Sequence, residues 1–455
     1  MDTIAAIATG ADMGAIGIVR VSGPLSHNLM AGMFTDGAGQ PVSAFESRKL
    51  YYGILTDETG TVLDHCLCTI SRAPHSYTGE DTAELQCHGS PLALQGILET
   101  LFRGGARQAQ PGEFTKRAFL NGKLDLTQAE AVIDLIRAET VQAAQNAAGQ
   151  LGGAVSARTD AVYDGLRDIL AHFHAVLDYP DEDIEPFELA AYSTALAEHG
   201  AVLERLRATF RRGEILTRGV PTAIIGRPNA GKSSLLNALL GYERAIVTDI
   251  PGTTRDTLEE RVQLGGTLLR LIDTAGVRDT TDPIEQLGIE RTRQAATEAE
   301  LVLAVFDGAR PLSEEDVQVL ETAKKAPRAV GIISKSDLPN RLDEGPILAG
   351  LAHIVTLSAK TGAGLEGLED TVSALFPEDV SVPAGQVLTN PRHVDAVGRA
   401  LVHVEAARIS MAEGVTPDAV LTELEAAMAA LGELTGRTVA ADVTARIFER
   451  FCVGK

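Results

Sequence analysis

The octapeptide Gly226 to Ser233, GRPNAGKS, constrains this chain more than any other stretch of it. It fits GxxxxGK[ST] and lies between an apolar run, Thr222 to Ile225, and a helix-forming run that starts at Lys232. A strand feeding a glycine-rich turn into a helix aims successive backbone amides, and the positive end of the helix, at one spot. The product is an anion cradle in which Asn229, Ala230, Gly231, Lys232, Ser233 and Ser234 line a polyphosphate. Lys232 then reaches the β- and γ-phosphates, and the Ser233 hydroxyl ligates Mg²⁺. The motif also fixes the architecture around it. Apolar runs in VPTAIIG, LLRLIDTAG, AELVLAVFD, AVGIISKSD and AHIVTLSAK alternate with helical stretches, which requires a parallel sheet wound on both faces.

Three further elements follow in the order a nucleotide site needs. Asp273 of DTAG supplies a carboxylate to the magnesium shell, and Gly276 an amide to the γ-phosphate. Between loop and DTAG lies GTTRD, residues 252–256, where a switch segment offers Thr253 and Thr254 hydroxyls, Thr254 to the magnesium. Base choice comes from Ser334, Lys335, Ser336 and Asp337: a carboxylate accepting from guanine N1 and the exocyclic amine selects guanine over adenine, whose edge offers the wrong donors. Ser358, Ala359 and Lys360 bring a backbone amide to the guanine oxygen. In the usual NKxD pattern of GTPases the first residue is Asn. Here it is Ser334, and the shorter side chain is expected to hold the base less firmly.

The position after DTAG, a water-positioning glutamine in Ras-like proteins, is Val277, which cannot orient water. Catalysis must draw on another group. The side-chain carbonyl of Asn229 is suited to hold a monovalent cation near the β,γ-bridge, where it neutralises developing charge. Carbonyls of the segment containing Thr248, Ile250 and Thr253 complete the shell of that K⁺. The competing reading is that Asn229 is a turn former that hydrogen-bonds only its own loop. Potassium-stimulated hydrolysis is the expectation.

The rest of the 455 residues exceeds what one core organises, and ordinary domain sizes suggest about three domains. Residues 1–120 mix short strand-like runs with turns and one helical stretch, an α+β domain. Residues 121–215 and 379–455 share a helical Ala/Leu/Glu texture, which reads as one helical domain split by an inserted nucleotide domain at 216–378. With 40 basic against 62 acidic groups, a net charge of −22 argues against a polycation that coats nucleic acid. Four scattered cysteines make no disulfide framework, and no secretory leader or run of about 18 apolar residues is found, so a cytoplasmic protein without membrane spans is expected. Cys66 and Cys68 share a strand face and read as packing, because no histidine pattern completes a metal site.

With these motifs in place the chain resembles the MnmE (TrmE) family of tRNA-modification GTPases over essentially its whole length. The resemblance rests on GIGIVRVSG, YTGEDTAELQCHG, QPGEFTKRAFLNGKLDLTQAEAVIDLI, GRPNAGKSSLLNALL, DIPGTTRD, DTAGVRDTTDPIEQLGIER and the terminal CVGK. It implies an N-terminal tetrahydrofolate-binding and dimerisation domain, a discontinuous helical domain, and an inserted Ras-like doubly wound P-loop G domain. It also implies a homodimer whose G domains meet in a potassium-dependent manner, and a heterotetramer-like complex with an MnmG-type FAD flavoprotein. Together these would install a carboxymethylaminomethyl-type group on C5 of the tRNA wobble uridine, using GTP, Mg²⁺, K⁺ and a tetrahydrofolate one-carbon derivative.

Carried over by position, Asn229 matches the family's potassium-binding asparagine and Glu285 the glutamate that orients the attacking water through a second water. By itself Glu285 would read as an exposed helix-start charge. Arg20, Glu84, Lys123 and Lys455 match folate-contacting positions, and a basic set with one carboxylate suits an anionic tail and a pterin edge. Cys452, in CVGK, is the remaining catalytic candidate, with a packing or merely exposed thiol as the competing reading; the tail is expected to fold back to the folate pocket. Two other classes compete with this assignment. A ribosome-assembly or RNA-binding regulatory GTPase shares GRPNxGKS but usually carries a separate RNA module. A folate-dependent one-carbon transferase with a vestigial G domain is opposed by the intact Lys232, Ser233, Asp273 and Asp337.

Overall fold

The structure, a computed structural model, describes residues 2–10, 13–178, 189–242, 260–272, 294–377, 382–438, 447–449 and 451–454. By internal contact the chain divides into two compact units, one formed by 1–133, 150–203 and 396–455, the other by 134–149 and 204–395.

The first unit holds a seven-stranded sheet. Its strands are β1 (Ile4–Ile7), β2 (Ile16–Ser22), β3 (Phe34–Asp36), β4 (Leu50–Thr56), β5 (Val62–Ser71), β6 (Thr82–His88) and β7 (Arg107–Gln108), in spatial order β3-β4-β5-β6-β2-β1-β7. All pairings are antiparallel except β1 with β7. Alternation along the strands sends Val19, Val21, Cys66, Cys68, Ile70, Leu85 and Cys87 into the core. The amphipathic helix Pro91–Arg103 adds Leu94, Ile97, Leu98 and Leu101 to that core. The first cysteine pair is therefore packing, as expected; burial pushes the Cys68 thiol up to about 12. Among the described residues no group of three or more His, Cys, Asp or Glu is placed to hold a metal.

Helices of this unit come from both sides of the nucleotide insert. Pro417–Thr435 packs along Ala154–Asp178, and the Thr127 hydroxyl donates to the Leu434 carbonyl at 3.1 Å. No helix among the described residues is long and apolar enough to cross a membrane.

The second unit is the doubly wound sheet. Strands β8 (Val220–Ile225), β9 (Glu260–Leu264), β10 (Thr267–Leu271), β11 (Leu301–Asp307), β12 (Arg328–Ser334) and β13 (His353–Thr356) lie in the order β13-β12-β11-β8-β10-β9. Five strands are parallel, while β9 runs antiparallel to β10 at the edge. This departs from a purely parallel reading. Gly265 and Gly266, with φ of 59° and 74°, make the two-residue turn that a tight hairpin demands. Both faces of the sheet are covered by apolar clusters, one built on Val220, Leu303 and Val330, the other on Ala223, Val302 and Phe306. Residues 134–149 join this unit partly through the buried Asn146. Its amide donates to the Val387 carbonyl at 3.0 Å and accepts from the Gly385 and Val387 amides at 3.0 and 3.3 Å.

Candidate functional site

Strand β8, in the middle of the sheet, delivers Gly226 to its C-terminal edge, and the helix Lys232–Tyr242 starts six residues later. A Cβ on Gly226 would lie 2.6 Å from the Val305 carbonyl oxygen, so no other residue lets the loop leave β8 this close to β11. Asn229 adopts the left-handed conformation, φ 61°, which asparagine tolerates better than most residues, and its side chain stands exposed at the loop crest. Ala230 is fully buried beneath the crest. The Lys232 ammonium folds back over the loop and donates to the Gly226 and Arg227 carbonyls at 2.8 and 3.0 Å. Burial draws its pKa down. Ser233 and Ser234 occupy the first turn of the helix, with Ser234 exposed. The residues present thus fit a polyphosphate: a cradle no Cβ could enter, a partly buried cation and a helix N-terminus.

The residues expected to read the base are joined directly to this loop. Ser334 ends β12, and its hydroxyl lies 2.6 Å from the Ala230 carbonyl oxygen and 3.0 Å from that of Phe306. The Lys335 ammonium donates to the Asn229 carbonyl at 3.0 Å and to Asp307 Oδ2 at 2.7 Å. Burial alone would raise the Asp307 carboxyl; Lys335 and the Ala309 amide, 3.0 Å away, outweigh it and hold it below the ordinary range. Asp337 is exposed and takes the Ser358 hydroxyl at 2.7 Å, which draws its carboxyl down. Ser358 is itself buried, with its amide donating to the Ala363 carbonyl at 2.8 Å. Ala359 and Lys360 follow it directly after β13.

Sequence reasoning missed one pair at this site. Arg227, an unspecified position of the loop motif, ion-pairs through Nε with Asp316 Oδ1 at 3.2 Å, and the two side chains are 12% and 0% exposed. Asp316 also closes a capping box with Ser313 at the start of the helix Glu314–Ala323. The capping signal, Ser followed three residues later by an acid, was legible; its second task was not. Thr248, Ile250, Thr253, Thr254, Asp273, Gly276, Val277, Glu285 and Lys455 lie outside the described residues.

A second cluster sits on the N-terminal sheet. Arg20 and Glu84 are cross-strand partners on β2 and β6, joined Nε to Oε1 at 2.7 Å. The Arg20 guanidinium lies 5.5 Å from the Tyr77 ring centre and 5.7 Å from that of Phe114. Burial raises the Tyr77 phenol, whose hydroxyl meets Thr115 Oγ1 at 2.9 Å. Lys123 is exposed, and its stem lies over Gly79, in the turn that carries Tyr77. Below this turn Ser22 donates to Glu80 at 2.7 Å, and the buried Arg117 donates to the same carboxylate at 2.9 Å. The C-terminal tail docks in the same unit: Gly112 N donates to the Cys452 carbonyl at 3.2 Å, and Gly454 lies against Ile7 at the end of β1. Phe448 and Phe451 anchor it in a core with Leu126, Ala129 and Ile133. The Cys452 thiol is exposed.

The sequence profile described as MnmE helical domain matches residues 126–452, and that described as GTP-binding protein TrmE N-terminus matches residues 3–123. The chain is 43% identical over 457 residues to the tRNA modification GTPase MnmE of Geobacter sulfurreducens, covering 100% of this chain and 99% of that one. Its counterparts in Thermoanaerobacter pseudethanolicus and Clostridioides difficile are 41% and 40% identical, with the same coverage. A chain that matches both profiles and aligns end to end with such relatives belongs to the MnmE family of tRNA-modification GTPases.

Proposed function

We propose that this chain is a potassium-dependent GTPase that acts with an MnmG-type FAD flavoprotein to place an aminomethyl-type group on C5 of the tRNA wobble uridine. The observation that carries the reading is the continuous frame from base site to phosphate loop: Lys335 and Ser334 hold the carbonyls of Asn229 and Ala230, while Asp337 stands ready for the guanine edge. Selection of the base and placement of the phosphates are then one rigid event rather than two.

In this reading Gly231, Lys232, Ser233 and Ser234 hold the triphosphate, and Ser233, Thr254 and Asp273 hold Mg²⁺. Asn229 with the carbonyls of Thr248, Ile250 and Thr253 holds K⁺, which supplies positive charge where the β,γ-bridge becomes more negative. Lys232 already sits among oxygen acceptors in the loop, so a γ-phosphate replaces partners the ammonium has rather than drawing it from water. Glu285 orients the attacking water, the role that Val277 cannot take. Hydrolysis drives a conformational step, not the transfer of carbon.

The Arg20–Glu84 pair with Tyr77 and Lys123 fits a folate derivative: an exposed aromatic ring and a carboxylate for the pterin, cationic groups for its anionic tail. That ligand supplies the one-carbon unit when bound, and Lys455 would join the residues that hold it. The domain division 1–120, 121–215, 216–378 and 379–455, the N-terminal homodimer and a cytoplasmic location complete the proposal. The test is mass analysis of tRNA from a deletion strain carrying this gene or a Lys232→Ala version. The modified wobble uridine should return only with the unaltered gene; unchanged modification in the deletion strain would remove the reading.

A further inference from the structure

The serine that replaces asparagine at the head of the base-reading motif changes which edge of the base the protein can sense. Ser334 is 4% exposed, and its hydroxyl faces two carbonyl oxygens, Ala230 at 2.6 Å and Phe306 at 3.0 Å. A hydroxyl has one proton, and carbonyls only accept, so that proton is consumed inside the protein. A carboxamide at the same place has two N–H protons, one for the loop and one for a ligand. Guanine N7 is an acceptor without a proton, and the lone pairs left on the Ser334 oxygen offer it nothing. The neighbouring cation, Lys335, is drawn to Asp307 Oδ2 at 2.7 Å and to the Asn229 carbonyl. What remains for the base among the described residues is Asp337, steadied by Ser358 at 2.7 Å, and the amide that follows Ser358.

We infer that Ser334 is a tie between β12 and the phosphate loop, and that this chain recognises guanine by its N1, exocyclic amine and O6 edge without reading N7. The inference rests on the guanine-nucleotide reading of the site. It separates this chain from GTPases that keep asparagine at the same position.

The test is a competition titration of the full chain with Mg²⁺ and a fluorescent GDP, using GTP, its 7-deaza analogue, in which N7 is a carbon, and inosine triphosphate, which lacks the exocyclic amine. The 7-deaza analogue should compete within about twofold of GTP, and inosine triphosphate should be weaker by about tenfold or more. Ser334→Asn, which supplies the second N–H, should open a preference for GTP over the 7-deaza analogue of about fivefold. Ser334→Ala should weaken both nucleotides together and leave their ratio unchanged, because it loosens the loop and not the base contact. A 7-deaza analogue that binds the unaltered chain more than about fivefold worse than GTP overturns the inference while leaving the guanine site intact. Failure of GTP itself to compete overturns the site and the inference with it.

Discussion

Replacing Arg227 by Met keeps the length of the side-chain stem and removes the charge facing Asp316. The carboxylate is fully buried, and its Oδ2 is already satisfied by the Ser313 amide at 3.0 Å and hydroxyl at 2.8 Å, so Oδ1 is the atom that Arg227 serves. At 3.2 Å the pair is attractive by about 5 kcal/mol for an effective dielectric constant of about 20, and desolvation of both ions offsets part of this. Stranding the carboxylate should therefore cost about 3 kcal/mol. Asp316→Asn keeps the size of the side chain, strands the guanidinium instead, and should cost about 2 kcal/mol. In the double variant neither charge is left buried, so the two losses do not add, and a coupling of about 2 kcal/mol is expected. Native-state hydrogen exchange at the amides of β11 is the appropriate assay, because that strand is buried along its length and exchanges when the nucleotide unit opens. Each variant should also bind GTP more weakly, since Arg227 belongs to the phosphate loop. Additivity of the two losses within about 0.5 kcal/mol would mean that Arg227 and Asp316 are not energetically paired.

Three further outcomes are expected. Potassium should stimulate GTP hydrolysis over sodium, and Asn229→Ala should abolish the difference without abolishing nucleotide binding; equal turnover in both salts removes the cation role. Glu285→Ala should leave GTP binding near its original value and lower kcat by about a hundredfold, and a normal kcat would end its water-orienting assignment. The Asp307 carboxyl is held lower in the folded chain than in the unfolded one, so its stabilisation is complete above pH of about 4 and is lost as pH falls through the folded value. An acid titration monitored by β11 exchange should accordingly be shallower in Asp307→Asn, and identical slopes would contradict the Lys335 tie.

What could be read without coordinates was chemistry that is local in sequence. GxxxxGK[ST] carries its own strand, turn and helix within a short stretch, and the structure has that strand at Val220–Ile225 and that helix at Lys232–Tyr242. Apolar strands such as β11 and β12 announce themselves by composition. The resemblance singled out Arg20 and Glu84, but their pairing is a matter of register between β2 and β6, which residue types do not state. Arg227 and Asp316, Asn146 and the 385–387 strap, and Ser334 and Ala230 are contacts between segments far apart in the chain, each made by a residue that is ordinary at its own position. Edge strand β9 escaped for a different reason: it is short, and the charged and polar residues Glu260, Arg261 and Gln263 dilute its apolar alternation. The tail was expected to fold back to the folate pocket; the Gly112–Cys452 hydrogen bond joins it to the unit of the N-terminal sheet, with Phe448 and Phe451 supplying the apolar anchor, while Lys455 lies outside the described residues.

Calorimetric titration of the purified chain with GTP and then ATP, in Mg²⁺ and potassium, shows whether this site holds a nucleotide and chooses guanine. One GTP should bind per chain with measurable heat while ATP gives none, and Lys232→Ala should silence the GTP signal. Equal binding of the two nucleotides would contradict the role of Asp337, and binding of neither would contradict the site as a whole.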